Sequence, residues 1–247
     1  MSGHSKWANI KHKKGRVDAL RGKVTTKIGR EITIAVRLGG SDPVGNMKLK
    51  LALSKAKANN IPKDNIQRAI QKGLGAAEGA DFQEITYEGY GPVGVAIMVE
   101  TLTDNRNRTA ADVRHVFTKH GGNLGGTGSV SYMFKQKGIF SISNETGVTE
   151  DDLMMIALDA GAEDIKTTED GFEIITDPQS FDAVEKALAD NNIETEMSDL
   201  EMVPDTYTEL TPDDAVKVQR MVDALEDLDD VQDVFLSADL PDDDEEE

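Results

Sequence analysis

Cysteine is absent from the 247 residues. Its absence excludes disulfides, thiolate-ligated zinc, iron–sulfur clusters and thiol catalysis, and it fits a reducing compartment. No run of 18 apolar residues occurs, so no membrane-spanning helix is expected. The opening MSGHSKWANIKHKKGR is basic with no hydrophobic stretch behind it, so no secretory signal is expected. Catalytic signatures are missing too. There is no G-x-S-x-G. His4, His12, His115 and His120 share no metal-ligand spacing. Gly121–Gly128 is glycine-rich but lacks the Gly-Lys-Ser/Thr of a P-loop, so it reads as a helix stop and loop whose amides could still approach a phosphate. Gly89-Tyr-Gly-Pro-Val-Gly94 is a literal G-x-G-x-x-G, but a strand rather than a helix follows it, so a hairpin turn is the better reading. No enzymatic activity, metal, cofactor or small-molecule substrate is expected.

What is present is an uneven charge distribution. The net charge is −19, yet residues 1–75 hold 17 Lys and Arg against 4 Asp and Glu. Residues 141–247 hold 4 against 35. A basic module is therefore joined to an acidic one. Acidic pairs such as Asp151-Asp152, Asp213-Asp214 and Asp229-Asp230 read as a solvated face. The tail, 241–247, is a block of like charge expected to be disordered.

Apolar periodicity divides the chain. Residues 1–15 read as a polar, basic arm. Val17, Leu20, Val24, Ile28, Ile32 and Ala35 share one helical face over 16–38, stopped by Gly39-Gly40. A second helix, with Asp42 as N-cap and Pro43 at its first position, runs to about Ala58, and a third begins near Pro62. Residues 1–75 form a helical domain, and 73–81 a linker. After 81 the period becomes two: a strand at 84–88, then a central strand with both faces apolar around 93–99, a helix at 107–120 and a strand through Val130, Tyr132 and Phe134. From 138 the order is β-α-β-β-α-β, a ferredoxin-like unit, with its first helix at 149–160. The last helix, 211–228, and strand, 231–237, cannot make a domain alone. The expected fold is α+β: an N-terminal three-helix domain followed by two α/β domains, the ferredoxin-like one (137–204) inserted in a discontinuous one (82–136 plus 205–240).

The candidate functional residues are cations. At 100° per residue, Arg16, Lys23, Lys27, Arg30 and Arg37 fall within about 80° of one another, beside the apolar stripe. Lys48 and Lys55, then Lys50 and Lys57, stack seven apart on the second helix. The arm adds Lys6, Trp7, Lys11, His12, Lys13 and Lys14. This density suits a polyphosphate backbone, whose released counterions drive binding, and an aromatic in a basic arm can stack on an unpaired base. Two other readings stay open: the arm is merely solvated, or the basic domain docks on the chain's own acidic half. Arg106 and Arg108, at the start of the 107–120 helix, suit either an external anion or an internal carboxylate.

The opening MSGHSKWANIKHKK, the segment Asn60–Ile66, the segment Tyr87–Pro92 and the segment Thr103–Thr109 resemble, in order, signatures of the YebC/PmpR family. That family includes the mitochondrial translational activator of cytochrome oxidase. The resemblance implies a three-domain fold with a helical N-terminal domain. It also implies a cytoplasmic regulator of transcription that binds DNA, or, as for some members, a translation factor on the ribosome that relieves stalling at proline-rich stretches. The partner is then DNA or ribosomal RNA, with tRNA as a further contact. A scaffold for protein partners is the third reading. The cationic helices are rich in Lys and poor in base-reading Asn and Gln, which favours recognition of backbone and shape.

Overall fold

The computed structural model describes residues 18–75, 82–168 and 170–240, with side chains from Gly22 onward. The expected basic arm, with Lys6, Trp7, Lys11, His12, Lys13, Lys14 and Arg16, lies outside the described residues, as do most of the linker and the tail 241–247.

Three helices come first: α1 (Asp18–Gly39), α2 (Met47–Ala58) and α3 (Lys63–Leu74). Ile28, Ile32, Ala35 and Val36 of α1 pack on Leu49, Ala52 and Ala56 of α2 and Ala69 of α3. The Thr33 hydroxyl donates to the Ala69 carbonyl at 3.1 Å, tying α1 to α3. Gly73 permits that close crossing, because a Cβ there would lie 2.7 Å from the Thr33 carbonyl oxygen. Gly40, at φ +85°, ends α1 by donating its N–H to the Val36 carbonyl.

The cap of α2 differs from expectation. Asn46, not Asp42, accepts the Leu49 N–H at 3.1 Å, and Asp42 and Pro43 lie in the preceding turn. The Asn46 amide also donates to the carbonyls of Ala35 (2.7 Å) and Gly40 (2.8 Å). An ionised Asp only accepts, so it could not tie both helix ends.

The remaining elements are β1 (Gln83–Tyr90), β2 (Ala96–Thr103), α4 (Arg106–Lys119), β3 (Asn123–Leu124), β4 (Phe134–Ser143), α5 (Glu150–Leu153), β5 (Ala162–Thr168), β6 (Gly171–Thr176), α6 (Phe181–Asp190), β7 (Met197–Pro204), α7 (Pro212–Glu226) and β8 (Val231–Leu236). They form two four-stranded sheets, ordered β3-β1-β2-β8 and β5-β6-β4-β7. In the first, β2 is central and the C-terminal β8 returns to pair antiparallel with it. Val95, Ile97 and Val99 pack under α4 and α7, while Ala96 and Met98 meet Val130, Phe134 and Phe235 on the other face. The second sheet has the ferredoxin-like order, with Phe140, Ile142 and Ile174 packed on Leu153, Phe181, Val184 and Leu188. The chain is thus α+β, with the ferredoxin-like unit inserted before β8 completes the first sheet.

Two expected elements change form. The strand through Val130, Tyr132 and Phe134 is a 3₁₀ turn at Ser131–Met133 that leaves Tyr132 exposed, with β4 starting at Phe134. Alternation of apolar residues mimicked a strand because Val130 and Phe134 both reach the core. The helix expected over 149–160 is one α turn followed by a wider π turn, Met154–Leu158.

By compactness the described residues fall into two units: those up to 75 with 136–201, and 82–135 with 202–240. The helical domain therefore shares its unit with the inserted ferredoxin-like layer.

Candidate nucleic-acid interface

The cations of the first unit divide into two sets. On α1, Lys23 and Arg37 are exposed and Lys27 and Arg30 are half-buried, flanking the stripe that enters the bundle. On α2, Lys48 and Lys57 are exposed, whereas Lys50 and Lys55 are partly covered. Chain geometry explains the second set. One face of α2 enters the bundle through Leu49, Ala52 and Ala56. Met47 and Leu51, on another face, pack against the ferredoxin-like core. The Ser54 hydroxyl accepts the Ser198 N–H at 2.8 Å, which caps part of the open edge of β7.

Lys50 and Lys55 follow their helix into this contact. Lys50 Nζ lies 2.7 Å from Asp182, pairs also with Glu185, and sits 5.7 Å from the centre of the Phe181 ring. Burial lowers the Lys50 pKa, but the two carboxylates outweigh it and hold the group above the ordinary lysine value. Lys55 Nζ is 3.6 Å from both Glu31 and Asp199. Lys57 donates to the Thr195 carbonyl at 3.3 Å. The sequence reading missed exposed cations on α3, namely Lys63, Arg68 and Lys72. Arg68 and Lys72 are four apart on one face, a spacing that could have found them.

The second unit binds its own anions. Arg108 donates to Asp230 at 2.8 Å and to Asp104 at 2.9 Å. Thr109 and Thr103 hydroxyls also donate to Asp230, at 2.8 and 3.1 Å. Asp230 is buried, which corrects the expectation that Asp229-Asp230 is merely a solvated pair. Burial raises its pKa, but Arg108, Thr109 and Thr103 together hold it below the usual aspartate value. Arg106 is exposed on the first turn of α4. The Asn105 side chain accepts the Arg108 N–H and caps the helix.

The end of the glycine-rich loop and the residues after it are engaged in the same way. Buried Glu88 accepts the N–H groups of Gly128 (2.8 Å), Val130 (2.9 Å) and Ser131 (2.8 Å). Burial raises the Glu88 pKa, but these donors more than offset it, and the carboxyl titrates below its ordinary range. Amides that could have cradled a phosphate hold an internal carboxylate instead. The G-x-G-x-x-G segment is a tight turn, with Val93 at φ +53° and Gly94 at φ +81°. Among the described residues no group of three or more His, Cys, Asp or Glu could hold a metal ion, and no helix is long and apolar enough to cross a membrane.

Residues 5–76 match the domain profile described as TACO1/YebC protein N-terminal domain, and residues 82–238 match the TACO1/YebC second and third domain. The chain belongs to the TACO1/YebC family. A probable transcriptional regulatory protein of Desulforamulus reducens is 56% identical over 236 residues, covering 95% of this chain and 98% of that one. One of Clostridium tetani is 54% identical over 241 residues, covering 98% of each. The crystal structure of a conserved hypothetical protein from Aquifex aeolicus matches with a TM-score of 0.84 at 45% identity, covering 98% of this chain and 100% of that one. Three segments that carry the TACO1/YebC resemblance have structural work in this fold. Asn60–Ile66 makes the α2–α3 turn and the first turn of α3, with Asn60 at φ +51°. Tyr87–Pro92 carries Glu88, and Thr103–Thr109 carries the donors to Asp230.

Proposed function

We propose that this TACO1/YebC chain is a non-enzymatic regulatory protein that grips nucleic acid through its helical domain. The observation that carries the reading is the cationic face of α1, Lys23, Lys27, Arg30 and Arg37, in a module of 17 basic against 4 acidic residues. Lys48 and Lys57 of α2, Arg106 of α4 and the arm residues Lys6, Trp7, Lys11, His12, Lys13, Lys14 and Arg16 extend the proposed surface. Lys50, Lys55 and Arg108 also meet internal carboxylates and position other groups of the surface. The names of the relatives favour transcription and hence DNA in the cytoplasm.

A specific observation favours a second reading, structured RNA on the ribosome. A DNA reader lays an accessible helix in the major groove with side chains at base edges. α2 is held between the bundle core and the ferredoxin-like layer and has no Asn, Gln or Arg. On α2, any contact then falls to backbone phosphates, which any polyphosphate offers.

Retention on heparin and binding to labelled duplex DNA and to ribosomal RNA fragments test the proposal. Lys23→Glu/Lys27→Glu/Arg30→Glu should abolish binding, while Asp213→Asn/Asp214→Asn should leave it nearly intact. Unchanged binding in the triple variant overturns the reading. Crosslinking with sequencing of bound nucleic acid separates the two targets: promoter fragments select DNA, ribosomal RNA the second reading.

A further inference from the structure

The ferredoxin-like layer carries an apolar patch on an acidic surface. After the single α turn of α5, stabilised by a Thr149–Asp152 capping box, the chain widens into the π turn Met154–Leu158. Leu153 and Ala157 enter the core. Met154, Met155 and Leu158 face outward, 41%, 65% and 44% exposed. Exposed Asp151, Asp152 and Asp159 border them in sequence. Residues 137–204 hold 18 acidic residues against 3 basic.

Three large apolar side chains exposed on one short turn are not accounted for by the fold. Wide turns of this kind recur at functional positions, and the flexible, polarizable Met side chain adapts to varied partners. We propose that Met154, Met155 and Leu158, rimmed by Asp151 and Asp159, form a docking surface for a cationic amphipathic helix of a protein partner. Charge complementarity selects that occupant. A nucleic acid would be repelled by the carboxylates, and so would the same acidic layer of a second copy. A helix with an apolar stripe and Lys or Arg beside it satisfies both the patch and its rim. None of these residues belongs to the cationic helical domain, so this proposal does not depend on the nucleic-acid reading.

The test uses the full chain and two labelled peptides of about 14 residues. One has Leu at i, i+3, i+4 and i+7 with Lys elsewhere; the other has the same composition with the spacing scrambled. Fluorescence anisotropy at physiological salt should show the amphipathic peptide binding on the order of 10-fold tighter, about 1.4 kcal/mol. Met154→Ser/Met155→Ser/Leu158→Ser should erase that margin, and the single surface change Met155→Lys should reduce it without affecting the thermal midpoint. Asp151→Asn/Asp159→Asn should weaken the amphipathic peptide and flatten its salt dependence. Equal binding of the two peptides, or a margin that survives the triple variant, overturns the proposal. Self-association in sedimentation that the triple variant abolishes overturns it in favour of a second copy.

Discussion

Lys50 and Asp182 are 132 residues apart in sequence, yet the lysine Nζ donates to the Asp182 carboxylate at 2.7 Å. The contact joins the basic helical module to the acidic insert within one compact unit. It means that part of the charge asymmetry is used internally. Lys50→Glu would set three carboxylates together. We expect a loss of about 1–2 kcal/mol, small because Asp182 is well exposed. Adding Asp182→Lys should restore part of it. Urea midpoints for the two single variants and the double variant give the coupling; a double variant no better than the sum means the pair contributes nothing.

Glu88 links stability to pH. Its pKa is depressed in the folded chain, so its contribution is present above the unfolded value and is lost as pH falls through the folded one. With an ordinary value of 4.5, the loss lies below about pH 4.5. Glu88→Gln should lower stability near neutrality by about 2–3 kcal/mol, because one amide oxygen cannot replace a carboxylate serving three backbone donors. Thermal midpoints of wild type and variant should converge as pH falls below that window. A constant gap across pH 3 to 7 would refute the electrostatic origin.

Asp230 is bound by Arg108, Thr103 and Thr109. Asp230→Ala should cost about 2–3 kcal/mol, since two buried hydroxyls lose an acceptor while Arg108, about half-exposed, finds water. Asp229→Ala, at the neighbouring position, should cost less. Nucleic-acid affinity measured below the unfolding transition should be nearly unchanged in Asp230→Ala; a large gain would mean that the freed Arg108 reaches the ligand instead.

Gly73→Ala sets helix propensity against packing. Alanine favours the helix by about 1 kcal/mol. Its Cβ would lie 2.7 Å from both the Thr33 carbonyl oxygen and the Val36 Cβ, so α1 and α3 must separate. Overpacking of this kind costs about 1–3 kcal/mol, and the contact with backbone puts it at the upper end. Net destabilisation of about 1–2 kcal/mol is expected by denaturant titration. A stabilised variant would mean that the crossing is looser.

Removing residues 241–247 deletes one proline and six acidic residues. If they compete with phosphate for the cationic module, deletion should tighten non-specific binding at low salt and have little effect at high salt, where such competition is screened. Equal affinity of the full and shortened chains at low salt removes the idea.

Local signals carried most of the fold. The stripe Ile28, Ile32 and Ala35, the stop at Gly39-Gly40 and the β-α-β-β-α-β alternation from 138 are short-range patterns, and residues 22–74 and 138–204 adopt the elements they imply apart from the start of α2 and the π turn at Met154–Leu158. The return of 231–236 to β2 was legible because a lone helix and strand cannot bury their apolar faces. Two errors arose where local signals competed: Asp42 against Asn46 for a cap, and alternation at 130–134 against a 3₁₀ turn.

The sequence by itself determined a basic helical module, an acidic remainder and the order of elements, since periodicity, capping residues and charge act over a few positions along the chain. Only the tertiary structure decided which charges meet. Lys50 with Asp182, Arg108 with Asp230 and Glu88 with the amides near Gly128 pair across 132, 122 and 40 positions. Such partners are chosen by how sheets and helices stack, and no local pattern of residues records that choice.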